Sequence, residues 1–509
     1  MRELPKGWAP CALDECCTVI SGQSPRGETY NDEGIGLPFY QGKTEFNDLY
    51  PVPRKWCTEP TKLAEDGDIL ISVRAPVGPT NLANETCCIG RGLAALRPFR
   101  GVETRFVLYQ MRATEQQLAS VATGSTFSAV SSQQLKEHRV VLAPSYEQPR
   151  IVAEIEKQFT RLDAATTALK RVQDNLKRYR ASVLKAACDG RLVPTEAELA
   201  RQEGRNYEPA DKLLQRILRE RRARWEADTL AKMQASGKVS NNRGRSSKYE
   251  EPISAPKGKL PSLPDGWAWT NLSELKQFSI YGPRFSSDDY TQDGIVVLRT
   301  TDISASGRVN LATAPRLQLT DAEWKKYQLM PGDLVFTRTG ATVGKLALFD
   351  DEVQAIPGAY LIHYRLIFKE ILPWYVYRFF QTEMGQSALL KGTRGIGQPN
   401  LNAPTIESVP IPLPPLDEQR RIVEALDEVI NLQSRQTAAV ETAQCRAGRL
   451  KQAVLRSAFT GQLVPQDPSD EPASILLERI RAERANQSRH ATARNTKQKP
   501  KTARQRGAK

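Results

Sequence analysis

Histidine is nearly missing from this 509-residue chain. Only His138, His363 and His490 occur, far apart and outside any H-E-x-x-H context, which argues against a histidine-built metal or general-base centre. No C-x-x-C pair joins the eight cysteines, so reduced structural thiols in a cytosolic protein are the expected reading. No long apolar run and no signal peptide is present, and a soluble, intracellular (cytoplasmic) protein without a membrane partner is expected. The dinucleotide fingerprint G-x-G-x-x-G is absent. The segment G-A-T-V-G-K-L (340–346) resembles a phosphate-binding loop but is one spacer short, and it has Leu346 where a magnesium-holding hydroxyl belongs. Nor is there an N-P-P-Y or D-P-P-Y tetrapeptide of the kind amino-methyltransferases use. The chain is expected to be no enzyme and to bind no metal or cofactor itself.

What is present is positive charge and repetition. A net charge of +14 and a pI near 9.3 point to a polyanionic partner, usually nucleic acid. One long stretch occurs twice, at 143–194 and 414–465, with equal length in both copies. The copies open A-P-S-Y-E-Q-P-R-I-V and P-P-L-D-E-Q-R-R-I-V and close C-D-G-R-L-V-P and F-T-G-Q-L-V-P. Proline and acids at the start, with glycine then proline at the end, are helix boundary signals. Ile155, Leu162, Leu169, Leu176 and Val183 recur every seventh residue, with Ile151, Ala165, Val172, Tyr179 and Ala186 in the companion seam. In the second copy Leu426, Val440, Ala447 and Val454 form a weaker stripe, interrupted at Gln433 and Gln436. About forty residues at 1.5 Å rise predict rods of roughly 60 Å. The economical packing sets one rod antiparallel on the other, a coiled coil with a pseudo-twofold.

L-P-K-G-W-A (4–9) and L-P-D-G-W-A (263–268) open the two halves. Short apolar runs broken by Gly, Pro, Asn and Asp then predict β-rich domains. In each, a Gly-Asp turn feeds a strand (Gly67-Asp68 into 69–74, Gly332-Asp333 into 334–338). The expected fold is α+β, with β-rich domains at 1–142 and 263–413 and helical regions at 143–230 and 414–484. A polar linker is expected at 231–262 and a disordered basic tail at 485–509. Basic amphipathic helices at 208–224 and 471–484 echo one another.

These landmarks together resemble the specificity subunits of Type I restriction–modification enzymes. The likeness rests on L-P-x-G-W opening each half, the G-D-[IL] strand turn, P-x-x-E-Q-x-R-I-V at each rod start and G-[RQ]-L-V-P at each rod end. It implies two target recognition domains, each reading one half of a bipartite sequence in double-stranded DNA. The helices would separate these domains and dock two modification (adenine methyltransferase) subunits that use S-adenosylmethionine. Restriction subunits using ATP and magnesium would join that core. An assembly scaffold, with a coiled coil carrying two protein-binding β domains, is the competing reading; salt-dependent duplex binding separates the two.

Arginine can fork to guanine, and Asn or Gln to adenine. Glycine-flanked or strand-terminal candidates in the first domain are Gln41, Lys43, Arg74, Arg91, Ser125 and Thr126. In the second they are Arg299, Thr301, Arg338, Lys345, Arg394, Gln398 and Asn400. Each is equally readable as an exposed or locally paired surface group. In the loop G-T-R-G-I-G-Q-P-N (392–400) two flexible glycines flank an arginine and two amides lie just beyond.

Overall fold

A computed structural model describes residues 4–122, 129–235, 249–255, 260–304, 306–367, 373–391 and 400–497. The chain folds as two compact units. The first combines Met1–Lys170 with Glu441–Lys509, and the second is Arg171–Val440.

Each unit is built on the same frame. In the first, an antiparallel sheet runs in the order Cys17–Ser21, Leu93–Pro98, Ile69–Ser72, Thr80–Leu82. In the second, the order Lys276–Tyr281, Leu361–Leu366, Asp333–Thr337, Leu346–Phe349 repeats it. A further sheet in each contains one parallel pair, Leu37–Tyr40 with Cys87–Ile89 or Ile295–Leu298 with Ala355–Pro357. The runs Ile69-Leu70-Ile71 and Leu334-Val335-Phe336 are buried on both faces, as continuous apolar strands must be.

The Gly-Asp turn shows why these residue types recur. Gly67 and Gly332 take φ of 83° and 92°, where a side chain would be strained. The aspartates that follow are buried and each accepts a fork. Asp68 receives Arg97 Nε and Nη2 at 2.9 and 2.8 Å, and Asp333 receives Arg365 Nε and Nη2 at 2.9 and 2.7 Å. Each also closes its own turn, accepting the Glu65 or the Met330 N–H at 2.8 Å. Asp333 additionally bonds His363 Nε2 at 2.8 Å, so this histidine is a packed structural residue.

The entry and exit strands of each domain pair with each other: Ala9–Ala12 with Arg139–Leu142, and Ala268–Thr270 with Ile411–Leu413. That brings the opening tryptophan to the start of the long helix. Trp8 Nε1 donates to Glu147 and Trp267 Nε1 to Glu418, both at 3.0 Å. The neighbouring glutamines, Gln148 and Gln419, donate to the Ala143 and Pro414 carbonyls that precede the helices. The E-Q of the repeat is thus a helix anchor.

The long helices span Glu147–Cys188 and Leu416–Ala458. In the first unit Lys451 pairs with Asp163, and in the second Gln433 Nε2 donates to the Leu176 carbonyl at 3.3 Å, so the helices run antiparallel. Ile155 and Val183 are buried, with Leu162, Leu169 and Leu176 half-buried; Leu426, Val440 and Ala447 are buried and Val454 half-buried. In the companion seam Ile151 is buried, but Ala165, Val172 and Tyr179 are exposed.

The tails cross over. The basic helix Ala210–Ala235, which follows the first rod, places Leu213 and Ile217 in the core of the second unit. The helix Ala473–Lys497, at the chain's end, places Leu476, Leu477 and Ile480 in the core of the first. Equivalent bonds seal both, Ala210 N–H to the Gly266 carbonyl at 2.7 Å and Ala473 N–H to the Gly7 carbonyl at 2.8 Å. The linear boundaries expected from the sequence therefore cut through both units. Two further differences are local. The β-rich domains also carry helices, Thr104–Ala113 and Pro373–Phe380, too short for a clear period. The last helix passes Arg484 to Lys497, through a stretch without glycine or proline.

Candidate nucleic-acid interface

In the first unit the loops at the ends of the strands gather into one cleft. Its lining includes Gln41, Lys43, Arg74 and Arg91, together with Ser24, Tyr30 and Thr44. Four segments distant in sequence supply these residues, and backbone bonds hold them. The Gly90 N–H donates to the Tyr40 carbonyl at 2.8 Å, the Val73 N–H to Gly92 at 2.9 Å, and the Val130 N–H to Val73 at 2.9 Å. Gly92 makes the approach possible, because a Cβ there would lie 2.1 Å from the Gln41 carbonyl oxygen.

Gln41, Lys43, Arg74 and Arg91 are all exposed. Among the described residues, none of their side chains is engaged in a hydrogen bond or an ion pair. Their amide and guanidinium donors are therefore available to a ligand. A cleft with two arginine forks, a lysine and a carboxamide can grip base edges and the phosphates beside them. Ser125 and Thr126 lie outside the described residues.

The second unit puts different chemistry on the corresponding frame. The Gly358 N–H donates to the Leu298 carbonyl and the Leu401 N–H to Arg338, repeating the bonds of the first cleft. Asn400 bridges to Thr339, so Arg338 and Asn400 come together. Arg338 lies over the Tyr281 ring at 4.9 Å, and its buried Nε has no partner. Lys345 is half-buried, with its carbonyl accepting the Thr337 N–H at 2.8 Å. Arg299 is already committed. Its Nε and Nη2 grip Asp302 at 3.1 and 2.8 Å, and Nη2 also donates to the Thr313 carbonyl. Its bond to Asp302 raises the guanidinium pKa above its ordinary value. Thr301, exposed beside it, sits 3.5 Å from Asp302. Arg394 and Gln398 lie outside the described residues.

Sequence reasoning missed the aromatic members, Tyr30 in the first unit's cleft and Tyr281 under Arg338 in the second unit. Neither lies near a motif. Their positions become visible only when the loops meet. Among the described residues no helix is long and apolar enough to cross a membrane.

Comparison with known proteins agrees with this geometry. The family model for the Type I restriction modification DNA specificity domain matches residues 5–177 and again 264–442. The chain is 23% identical over 515 residues to the Type I restriction enzyme EcoKI specificity subunit of Escherichia coli strain K12, covering 95% of this chain and 97% of that one. It is 33% identical over 193 residues to the putative MjaX specificity subunit of Methanocaldococcus jannaschii, a match spanning 37% of this chain and 44% of that protein. A chain solved in a study of complex assembly and conformational transition of the type I R-M system shares the fold, with a TM-score of 0.59 at 21% identity. That match covers 91% of this chain and 100% of the other. The chain thus belongs to the family of Type I restriction–modification specificity subunits and carries the family's DNA specificity domain twice.

Proposed function

We propose that this chain is the address-reading subunit of a Type I restriction–modification complex, with each unit reading one half of a bipartite duplex target. The observation that carries the reading is one frame bearing two different rims. Gln41, Lys43, Arg74 and Arg91 line the first cleft, whereas Arg338 on Tyr281 and Asn400 occupy the second rim. Different donors on equivalent supports recognise different base edges, so the target is asymmetric. The scaffold alternative is not favoured, since what the chain carries twice is a DNA specificity domain.

In this reading the chain supplies recognition, and bond-making belongs to its partners. Two modification subunits methylate adenine with S-adenosylmethionine, and restriction subunits bring ATP and magnesium. The test is a genome-wide map of methylated adenines in cells carrying the wild-type chain, Arg74→Ala, Arg91→Ala, or an exchange of residues 9–142 for those of another family member. The exchange should alter one half of the target. A point variant that removes a base contact should relax positions within that same half, by about 1–3 kcal/mol per contact. Changes in both halves, or none in either, would overturn the reading.

A further inference from the structure

We propose that Arg180, Arg308 and Arg378 of the second unit form a binding site for a backbone phosphate of duplex DNA. The inference rests on the DNA-binding function above and adds a contact that reads no base. Three elements supply the arginines: the first long helix, the hairpin closed by the Ile303–Val309 bridge, and the helix Pro373–Phe380.

The acceptors these arginines use are too few for them. Arg378 Nη1 and Arg180 Nη2 both point at one neutral oxygen, Gln381 Oε1, at 3.1 and 3.4 Å. Gln381 is itself held, with its Nε2 donating to the Ser306 carbonyl at 3.2 Å. Arg308 Nη2 donates to the Ser434 hydroxyl at 3.2 Å. Among the described residues the cluster has one ion pair, Arg378 with Asp427 at 2.9 Å, and Asp427 is 41% exposed. Arg378 is only 9% exposed and its Nε has no hydrogen-bond partner. Its guanidinium carbon lies 5.2 Å from the ring centres of both Trp374 and Tyr377. Burial, and then the charges of Arg378 and Arg308, lower the pKa of Arg180, so the three cations feel one another.

The first unit provides an internal contrast. At the positions corresponding to Arg378 and Asp427 stand Tyr109 and Glu156, joined by a hydrogen bond of 3.2 Å. Lys451 stands for Arg180, and Asp163, its ion-pair partner, stands where the second unit has Ser434. There each cation has a carboxylate, Arg105 with Glu156 at 2.6 Å and Lys451 with Asp163, whereas in the second unit a hydroxyl stands in place of one carboxylate. Guanidiniums converging on one weak neutral acceptor suit an anion with several oxygens. A phosphodiester has them, and forked Arg–phosphate bonds are among the stronger charge-assisted contacts.

The test measures affinity of the full chain, with its modification subunits, for a target duplex and for one lacking the target, over a series of salt concentrations. Arg308→Gln and Arg180→Gln should each weaken both complexes by the same factor. Each should also make the fall of log K with log salt less steep, by at most about 0.9, the value of one whole phosphate contact. The ratio of target to non-target affinity should stay unchanged. Arg308→Lys should retain the slope, and Lys451→Gln in the first unit should leave slope and affinity as in the wild type. Arg308 is exposed, so its loss does not endanger folding. Unchanged slopes in both glutamine variants, beside a salt-dependent wild type, would overturn the site while leaving the DNA reading intact. So would a change confined to the specificity ratio, or weakened association with the modification subunits at an unaltered DNA slope. A wild-type complex with no salt dependence would overturn the DNA reading itself.

Discussion

Asp333→Asn should cost the second unit more than Asp68→Asn costs the first, although the two aspartates occupy the same place in the repeat. Asp333 is fully buried beneath Arg365, whose side chain is 12% exposed, and it also bonds His363 and the Met330 N–H. Removing one partner of a buried ion pair typically costs about 3–5 kcal/mol, because the remaining charge has nowhere to go. The partner of Asp68, Arg97, is 35% exposed and holds Glu65 as well at 2.8 Å, so water and Glu65 can take over. That case belongs with an unsatisfied hydrogen bond, about 1–3 kcal/mol. A difference of about 2 kcal/mol is roughly 30-fold in a local opening constant. Native-state hydrogen exchange reads it directly, through protection factors in strands Leu334–Phe336 and Ile69–Ile71. A pH dependence accompanies it. Burial pushes the Asp333 carboxyl up, but bonds from Arg365 and His363 outweigh burial and hold it below the ordinary value. As pH falls from about 4, the unfolded carboxyl takes its proton first. The stability Asp333 contributes is therefore complete above its unfolded pKa and is lost as pH drops through the lower folded value. Asp333→Asn should lack that acid-side loss. Equal costs for the two variants, or an unchanged acid-side loss in Asp333→Asn, would refute the reasoning.

Ending the chain before Glu471 should loosen the first unit and spare the second. Leu476, Leu477 and Ile480 leave its core, each worth at most about 1.5–3 kcal/mol, and exchange should rise in Ile69–Ser72 but not in Asp333–Thr337. The reverse pattern would contradict the crossed tails. The two indole-bonded glutamates should part company as well. Burial raises both carboxyls, and for each the tryptophan bond pulls back only in part. Their folded forms thus hold protons more tightly, favouring folding at low pH and losing that advantage as pH rises through the folded pKa. Glu147 Oε1 has no partner, so Glu147→Gln should leave stability near pH 7 unchanged or higher and remove this dependence. Glu418 accepts the Glu196 N–H with its second oxygen at 2.9 Å, so Glu418→Gln should cost about 1–3 kcal/mol. Urea denaturation of the two variants across pH checks the order, and the opposite ranking would refute it.

Much of the frame could be read from the residues alone. Helix length and position follow from local rules, the seven-residue recurrence from Ile155 to Val183 and the glycine stops at Gly190 and Gly461, which take φ of 66° and 69°. The duplicated order of L-P-x-G-W, G-D and E-Q was legible too, because a repeat needs no tertiary knowledge to be seen. Among the candidate residues, four of the six in the first domain meet in one cleft because glycine-flanked polar residues at strand ends are where loops converge. Arg299 shows the limit. It has the same sequence setting as its fellow candidates, yet Asp302, three residues on, takes its fork.

What only the tertiary structure decided is which partner each repeated piece found. Leu213 and Ile217 have the same spacing and neighbours as Leu476 and Ile480, and either pair fits either frame by pattern. Burial selects among equivalent apolar stripes only when the whole chain has closed, so the crossing of the tails has no local signature. The arginine cluster has none either, since Arg180, Arg308 and Arg378 are far apart along the chain and their shortage of acceptors exists only where three elements meet.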